Sequence, residues 1–106
     1  MQDNSEVVTV VITCSIKQGM METALRELEA VIKIVMAKET ACHGIYVHVE
    51  SKKAQRLLII EHWESEEVFN GPHMQTDHMQ TFLKASGEFL DGVAEFSFWK
   101  EVFVAP

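Results

Sequence analysis

At 106 residues, with 16 acidic against 9 basic side chains and a formal charge of −7, the chain reads as a single domain over residues 1–106 with enough apolar content to bury a core. An acidic surface repels phosphate backbones, which excludes nucleic acid as a partner, and no apolar run approaches the ~20 residues needed to cross a bilayer, so no membrane is expected. Two cysteines, Cys14 and Cys42, make no disulfide scaffold, and the polar start Met1-Gln2-Asp3-Asn4-Ser5-Glu6 is no signal peptide, so a cytoplasmic protein is expected.

Residues 7–16 are apolar at most positions and rich in valine and isoleucine, which predicts a strand. Lys17-Gln18-Gly19 turns the chain. Met21, Ala24, Leu25, Leu28, Ile32, Val35 and Met36 then recur at helical spacing, so residues 20–39 form an amphipathic helix. Cys42-His43-Gly44 ends it. Ile45, Val47 and Val49 alternate with Tyr46, His48 and Glu50 in a second strand, and residues 56–63 form a third after a polar connection.

Ser65 suits a helix N-cap, with Glu66 and Glu67 well placed in the first turn. Asn70-Gly71-Pro72 is expected to end this short helix. Thr76 or Asp77 caps the next one, which carries Met79, Phe82 and Leu83 and runs toward Phe89-Leu90. Asp91-Gly92 turns into a last strand over residues 93–102. The order is β-α-β-β-α-β, an α+β, ferredoxin-like arrangement.

Strand alternation carries a further consequence. A four-stranded sheet with helices on one face normally shows water a polar second face. Here strand three puts Leu57 and Ile59 on one side and Leu58 and Ile60 on the other, and the last strand sets Phe96 and Phe98 against Trp99. A second apolar face needs cover, so a homodimer packed sheet to sheet is expected.

The side chains able to do chemistry cluster late. Glu61, His62, Trp63, His73 and His78 fall within eighteen residues. Alternation puts Glu61 and Trp63 on one face of the third strand and His62 on the other. A glutamate there is costly to bury unpaired, and burial would raise its pKa toward a neighbouring imidazole. On one unbroken helix His73 and His78 would stand about 140° apart; a break at Thr76-Asp77 lifts that constraint, and either is a candidate general base near neutral pH. His43, His48 and Tyr46 are weaker candidates. No spacing is specific for a metal, and no phosphate loop, dinucleotide fingerprint or serine elbow is present.

The strand, Gly-ended turn, amphipathic helix and His43-Gly44, followed by Glu61-His62-Trp63 and by His73-Met74-Gln75-Thr76-Asp77-His78, resemble the antibiotic biosynthesis monooxygenase domain family over about residues 7–102. Members often carry Pro where this chain has Asp77. The resemblance implies a dimeric α+β barrel. It implies several activities: oxidation of quinols or polyphenolic aromatics by O2 with no cofactor, haem degradation, or isomerisation of a phosphorylated sugar derivative. The haem-degrading pattern of Asn, Trp and His falls here near Ile12, His73 and Phe82 or Leu83, so that activity is not expected.

The expected function is a cofactor-independent monooxygenase acting on a quinol or hydroxylated aromatic and O2. His73, His78 and Glu61 are its expected catalytic residues. Trp63, Phe69, Met74, Met79 and Phe82 are expected to wall the substrate, with no metal. The alternatives are an isomerase, for which Lys84 is the one nearby cation, and a non-catalytic dimeric domain that binds an aromatic ligand.

Overall fold

The computed structural model describes residues 7–106; the N-terminal hexapeptide read above as no signal peptide lies outside the described residues. Strand β1 (Val8–Ser15), helix α1 (Met21–Lys38), strands β2 (Cys42–Val49) and β3 (Arg56–Trp63), a single helical turn α2 (Glu66–Val68), helix α3 (Asp77–Ser86) and strand β4 (Glu95–Trp99) follow in order. The sheet is antiparallel, in the order β2-β3-β1-β4. This is the ferredoxin-like α+β architecture that the sequence predicts.

Alternation sets the two faces. Val8, Val10, Ile12 and Cys14 of β1 are buried, as are Leu57, Ile59, Glu61 and Trp63 of β3. In β1 and β3 the intervening residues are only half-buried. Against the buried face lies α1, which contributes Ala24, Leu28, Val31 and Val35 to the core. Gly19 makes the turn into α1 at φ +82, a left-handed conformation that glycine adopts without strain.

Two local expectations hold at the level of single hydrogen bonds. Ser65 Oγ accepts from the Val68 amide at 3.1 Å, and Thr76 Oγ1 accepts from the Met79 amide at 3.2 Å, each satisfying an amide left without an intrahelical partner.

Two others are corrected. Asn70-Gly71-Pro72 does not end the short helix. The chain widens instead into a π-helical turn over Phe69–His73 that takes Pro72 inside it. Proline lacks an N–H and its ring collides with the carbonyl four residues back, and a wider turn relieves both. The last strand is also shorter than residues 93–102. Trp99 pairs with Thr9, and β1 begins at Val8, so residues beyond Trp99 have almost no neighbour to pair with. Residues 100–106 continue unpaired, with Val102, Phe103 and Val104 exposed.

Candidate functional site

Between the buried sheet face and the helices lies a largely apolar cavity of about 110 Å³. Ile12, Ile59, Val35, Phe89 and others supply its walls, while Glu61 and His73 bring polar groups to it. Phe69, Met74, Met79 and Phe82, four of the residues expected to wall a substrate, all line it.

Glu61 reaches the cavity because position 61 is in phase with Leu57 and Ile59 on the inner face of β3. Trp63, two residues on, shares that face, and its indole Nε1–H donates to Glu61 Oε1 at 2.8 Å in a buried hydrogen bond. This is the one hydrogen bond to the Glu61 carboxylate among the described residues, so Oε2 has no protein partner. Burial pushes the Glu61 carboxyl above its ordinary value; the Trp63 hydrogen bond opposes this, and the charge of Glu39 adds to it.

Trp63 itself is fully buried and is not among the residues that line the cavity. It stands behind His73, whose ring centroid lies 4.3 Å from its own. Phe69 stacks on His73 at 5.3 Å. The π-helical turn thus places Phe69 and His73 side by side, and the imidazole packs with the indole and the phenyl ring in a cluster of three mutually contacting rings.

His73 is fixed from one side by a residue that the sequence reading does not single out. Glu39, the C-cap of α1, puts both carboxylate oxygens 3.0 Å from His73 Nδ1. His78 Nε2 lies 2.6 Å from Glu39 Oε2. His78 does not line the cavity; it borders a shallow surface groove between α1 and α3, with Ala30, Ile34 and Lys38. The two histidines therefore meet on one carboxylate, His73 from the cavity and His78 from outside.

A local signal for Glu39 does exist. A carboxylate at the C-terminal end of a helix opposes the helix dipole, so it calls for donors from elsewhere. His73 is displaced below the ordinary imidazole value because burial disfavours its charged form; the Glu39 hydrogen bond and charge pull it back up, and His78 pushes it down again.

The remaining candidates lie elsewhere. His62 Nδ1 is 3.2 Å from Thr9 Oγ1 on the outer sheet face, with Tyr46 edge-on to its ring. His43 meets Glu64 at 3.7 Å on the surface, and the exposed His48 faces the Leu58 carbonyl. Cys42 is a buried thiol raised to about 11, chiefly by burial, which leaves it unreactive. Among the described residues no group of three or more His, Cys, Asp or Glu side chains is arranged to hold a metal, and no helix is long and apolar enough to cross a membrane.

The fold recurs in solved structures. A conserved protein from Methanosarcina mazei Go1 is 20% identical, with a TM-score of 0.82, the alignment covering 93% of this chain and 96% of that one. A protein from Caulobacter crescentus CB15, provisionally named an antibiotic biosynthesis monooxygenase, is 16% identical with a TM-score of 0.85 and coverage of 94% and 93%. A protein of the same provisional name from Bordetella bronchiseptica gives 16% identity, a TM-score of 0.84 and coverage of 93% and 100%. At such identities the likeness is one of fold. No curated protein matches the chain. The profile described as antibiotic biosynthesis monooxygenase matches residues 7–85, which include the β1–β3 sheet, Glu39, Glu61, His73 and His78, and the chain belongs to that family.

Proposed function

We propose that this protein is a cofactor-independent monooxygenase that oxidises a quinol or related hydroxylated aromatic with O2. One observation carries the reading: a largely apolar cavity holds one carboxyl group, Glu61, and one imidazole, His73, each with one heteroatom free of protein partners among the described residues.

His73 Nε2 takes the phenolic proton. The resulting phenolate, unlike the phenol, passes an electron to O2, and the semiquinone and superoxide then join at a ring carbon. The imidazolium returns its proton as the O–O bond breaks and water leaves. The sum is quinol plus O2 to hydroxyquinone plus water, with all four electrons drawn from the substrate. Glu61, kept toward its neutral form by burial, hydrogen-bonds a substrate oxygen, and Trp63 holds it in place. Phe69, Met74, Met79 and Phe82 exclude water, which strengthens every charge interaction inside. His78 contributes through Glu39 rather than by touching substrate.

The isomerase reading gains no support, because a phosphate needs a cation and no Lys or Arg lines the cavity; Lys84 is exposed on α3. The same proposal includes a homodimer, with a second copy covering the outer sheet face, where Tyr46 and Trp99 are exposed beside Ile60 and Val11.

The test is oxygen uptake with a panel of reduced quinones, wild type against His73→Ala. General-base catalysis of this kind is worth about 100-fold or more, so the variant should lose most of the rate above autoxidation. Wild type that never exceeds autoxidation sinks the activity, and an unchanged rate in the variant removes His73 from it.

A further inference from the structure

We propose that Glu39 is the positioning residue of the cavity: gripped from outside by His78, its carboxylate holds His73 in the Nδ1–H tautomer and so leaves a basic Nε2 for the substrate. This rests on the reading of His73 as proton acceptor and names the group that makes it one.

An ionised carboxylate only accepts hydrogen bonds, so each imidazole nitrogen that faces it carries a hydrogen. His73 Nδ1 faces both oxygens of Glu39 at 3.0 Å, and the partner of one ring nitrogen decides which nitrogen is protonated. Nε2 is then the lone-pair nitrogen, and among the described residues it has no protein partner. The opposite tautomer would place two acceptors against each other at Nδ1 and turn an N–H, useless as a base, away from Glu39.

Glu39 needs this arrangement as much as His73 does. Its side chain is 13% exposed and lies at the unfavourable end of the α1 dipole. Unpaired, a charge so placed would be expensive. His78 Nε2–H at 2.6 Å supplies the second donor, and Thr76, the N-cap of α3, fixes the turn that brings His78 there. The end of α1 thus meets, at one carboxylate, a segment more than thirty residues further on, where the π-helical turn and the first turn of α3 follow closely on each other.

When His73 takes the substrate's proton, the imidazolium is formed against an anion already in position. This is the relation of a carboxylate to the histidine of a serine-protease triad, where wrong-tautomer variants keep their shape and lose rate. The titratable groups around His73 are Glu39 on α1, His78 on α3 and Glu61 on β3, with Cys42 on β2 beyond them.

The experiment is ¹⁵N NMR of the histidine rings in wild type, Glu39→Gln and Glu39→Asp, paired with steady-state kinetics. Wild-type His73 should show a protonated Nδ1 and an unprotonated Nε2. The glutamine offers one acceptor oxygen to two rings, so the His73 signals should move to the Nε2–H or an averaged pattern. With it, kcat should fall by at least about tenfold while KM stays within about twofold. The acid limb of the pH profile should also move to lower pH, because a charge that favoured the imidazolium is gone. The aspartate, a shorter carboxylate, should restore part of both.

A wild-type His73 found in the Nε2–H form overturns the proposal whether or not any variant folds. So does an unchanged His73 tautomer in a folded Glu39→Gln. A protein that oxidises no quinol yet shows the tautomer change loses the proposed activity and keeps Glu39's role; the converse result loses only Glu39's role.

Discussion

Trp63 and Glu61 are two residues apart on one strand face, and the indole of the first donates to the carboxyl of the second at 2.8 Å inside the core. Trp63 is completely buried and is not part of the cavity wall, so it acts on the site through this hydrogen bond and through its packing on the His73 ring. Trp63→Phe should therefore act in two ways. Loss of the buried donor and of ring volume should lower stability by about 2–3 kcal/mol, read from urea or guanidinium unfolding. The Glu61 carboxyl should also titrate higher still, because the one interaction that lowers it has gone. Carboxyl ¹³C titration of Glu61 checks the second effect; a downward movement would contradict the electrostatic account.

The two cavity groups should give opposite pH signatures in stability. Glu61 is raised above its ordinary 4.5, so the folded state binds its proton more tightly. Its contribution is full below about 4.5 and is lost as pH rises through the raised value. His73 is lowered below 6.5, so the folded state binds fewer protons there, and its contribution is lost as pH falls from 6.5 through the lowered value. Glu61→Gln should abolish the first slope and so gain on wild type as pH rises above about 4.5. Urea unfolding across pH 4 to 8 measures this, and a parallel offset between the two proteins at every pH would count against it. The oxidation rate should carry its own acid limb, below 6.5, where His73 becomes charged and ceases to be a base.

The size of the cavity sets a substrate expectation. About 110 Å³ is somewhat less than the engineered apolar cavity of about 150 Å³ that binds benzene. Single-ring quinols should fit only with small side-chain shifts, and fused two-ring quinols should need a larger one. Met74 is half-buried, unbranched and on the cavity wall, which makes it the side chain best able to yield. Met74→Ala should move the ratio of kcat/KM values toward two-ring quinols by roughly tenfold at about 1–2 kcal/mol of stability. A ratio that does not change would place the substrate elsewhere.

The parts of this fold that are local were legible in the sequence. Period-two and period-3.6 patterns located β1, α1 and β3 to within a residue or two, and Ser65 and Thr76 announced two helix starts. The inner-face partnership of Glu61 and Trp63 follows from alternation alone. What escaped was set by distance. Glu39 carries one local signal, a carboxylate set against the dipole at the end of α1, but its donors lie on a segment that folds back onto it. The π-helical turn escaped because Pro72 reads as a stop, and only packing of Phe69 and His73 against Trp63 makes a wider turn worthwhile. The length of β4 depended on where its neighbour β1 begins.

The outer sheet face gives the last prediction. In register, Tyr46 stands opposite Ile60, Ile60 opposite Val11 and Val11 opposite Ser97, while Thr9 stands between His62 and Trp99. A row of tyrosine, isoleucine and valine, with a tryptophan in the next row, is poorly suited to water, and a stable interface needs roughly 800 Å² from each partner. Ile60 lies at the centre and makes no contribution to the cavity. Ile60→Glu would bury an unpaired charge at the middle of a sheet-to-sheet interface, which costs several kcal/mol, while in a monomer it would sit at a half-buried surface at little cost. Sedimentation equilibrium should find wild type as a dimer and Ile60→Glu as a folded monomer with an unchanged far-ultraviolet circular dichroism spectrum. A monomeric wild type, or a variant that remains dimeric with the same dissociation constant, would mean that this face is covered in another way.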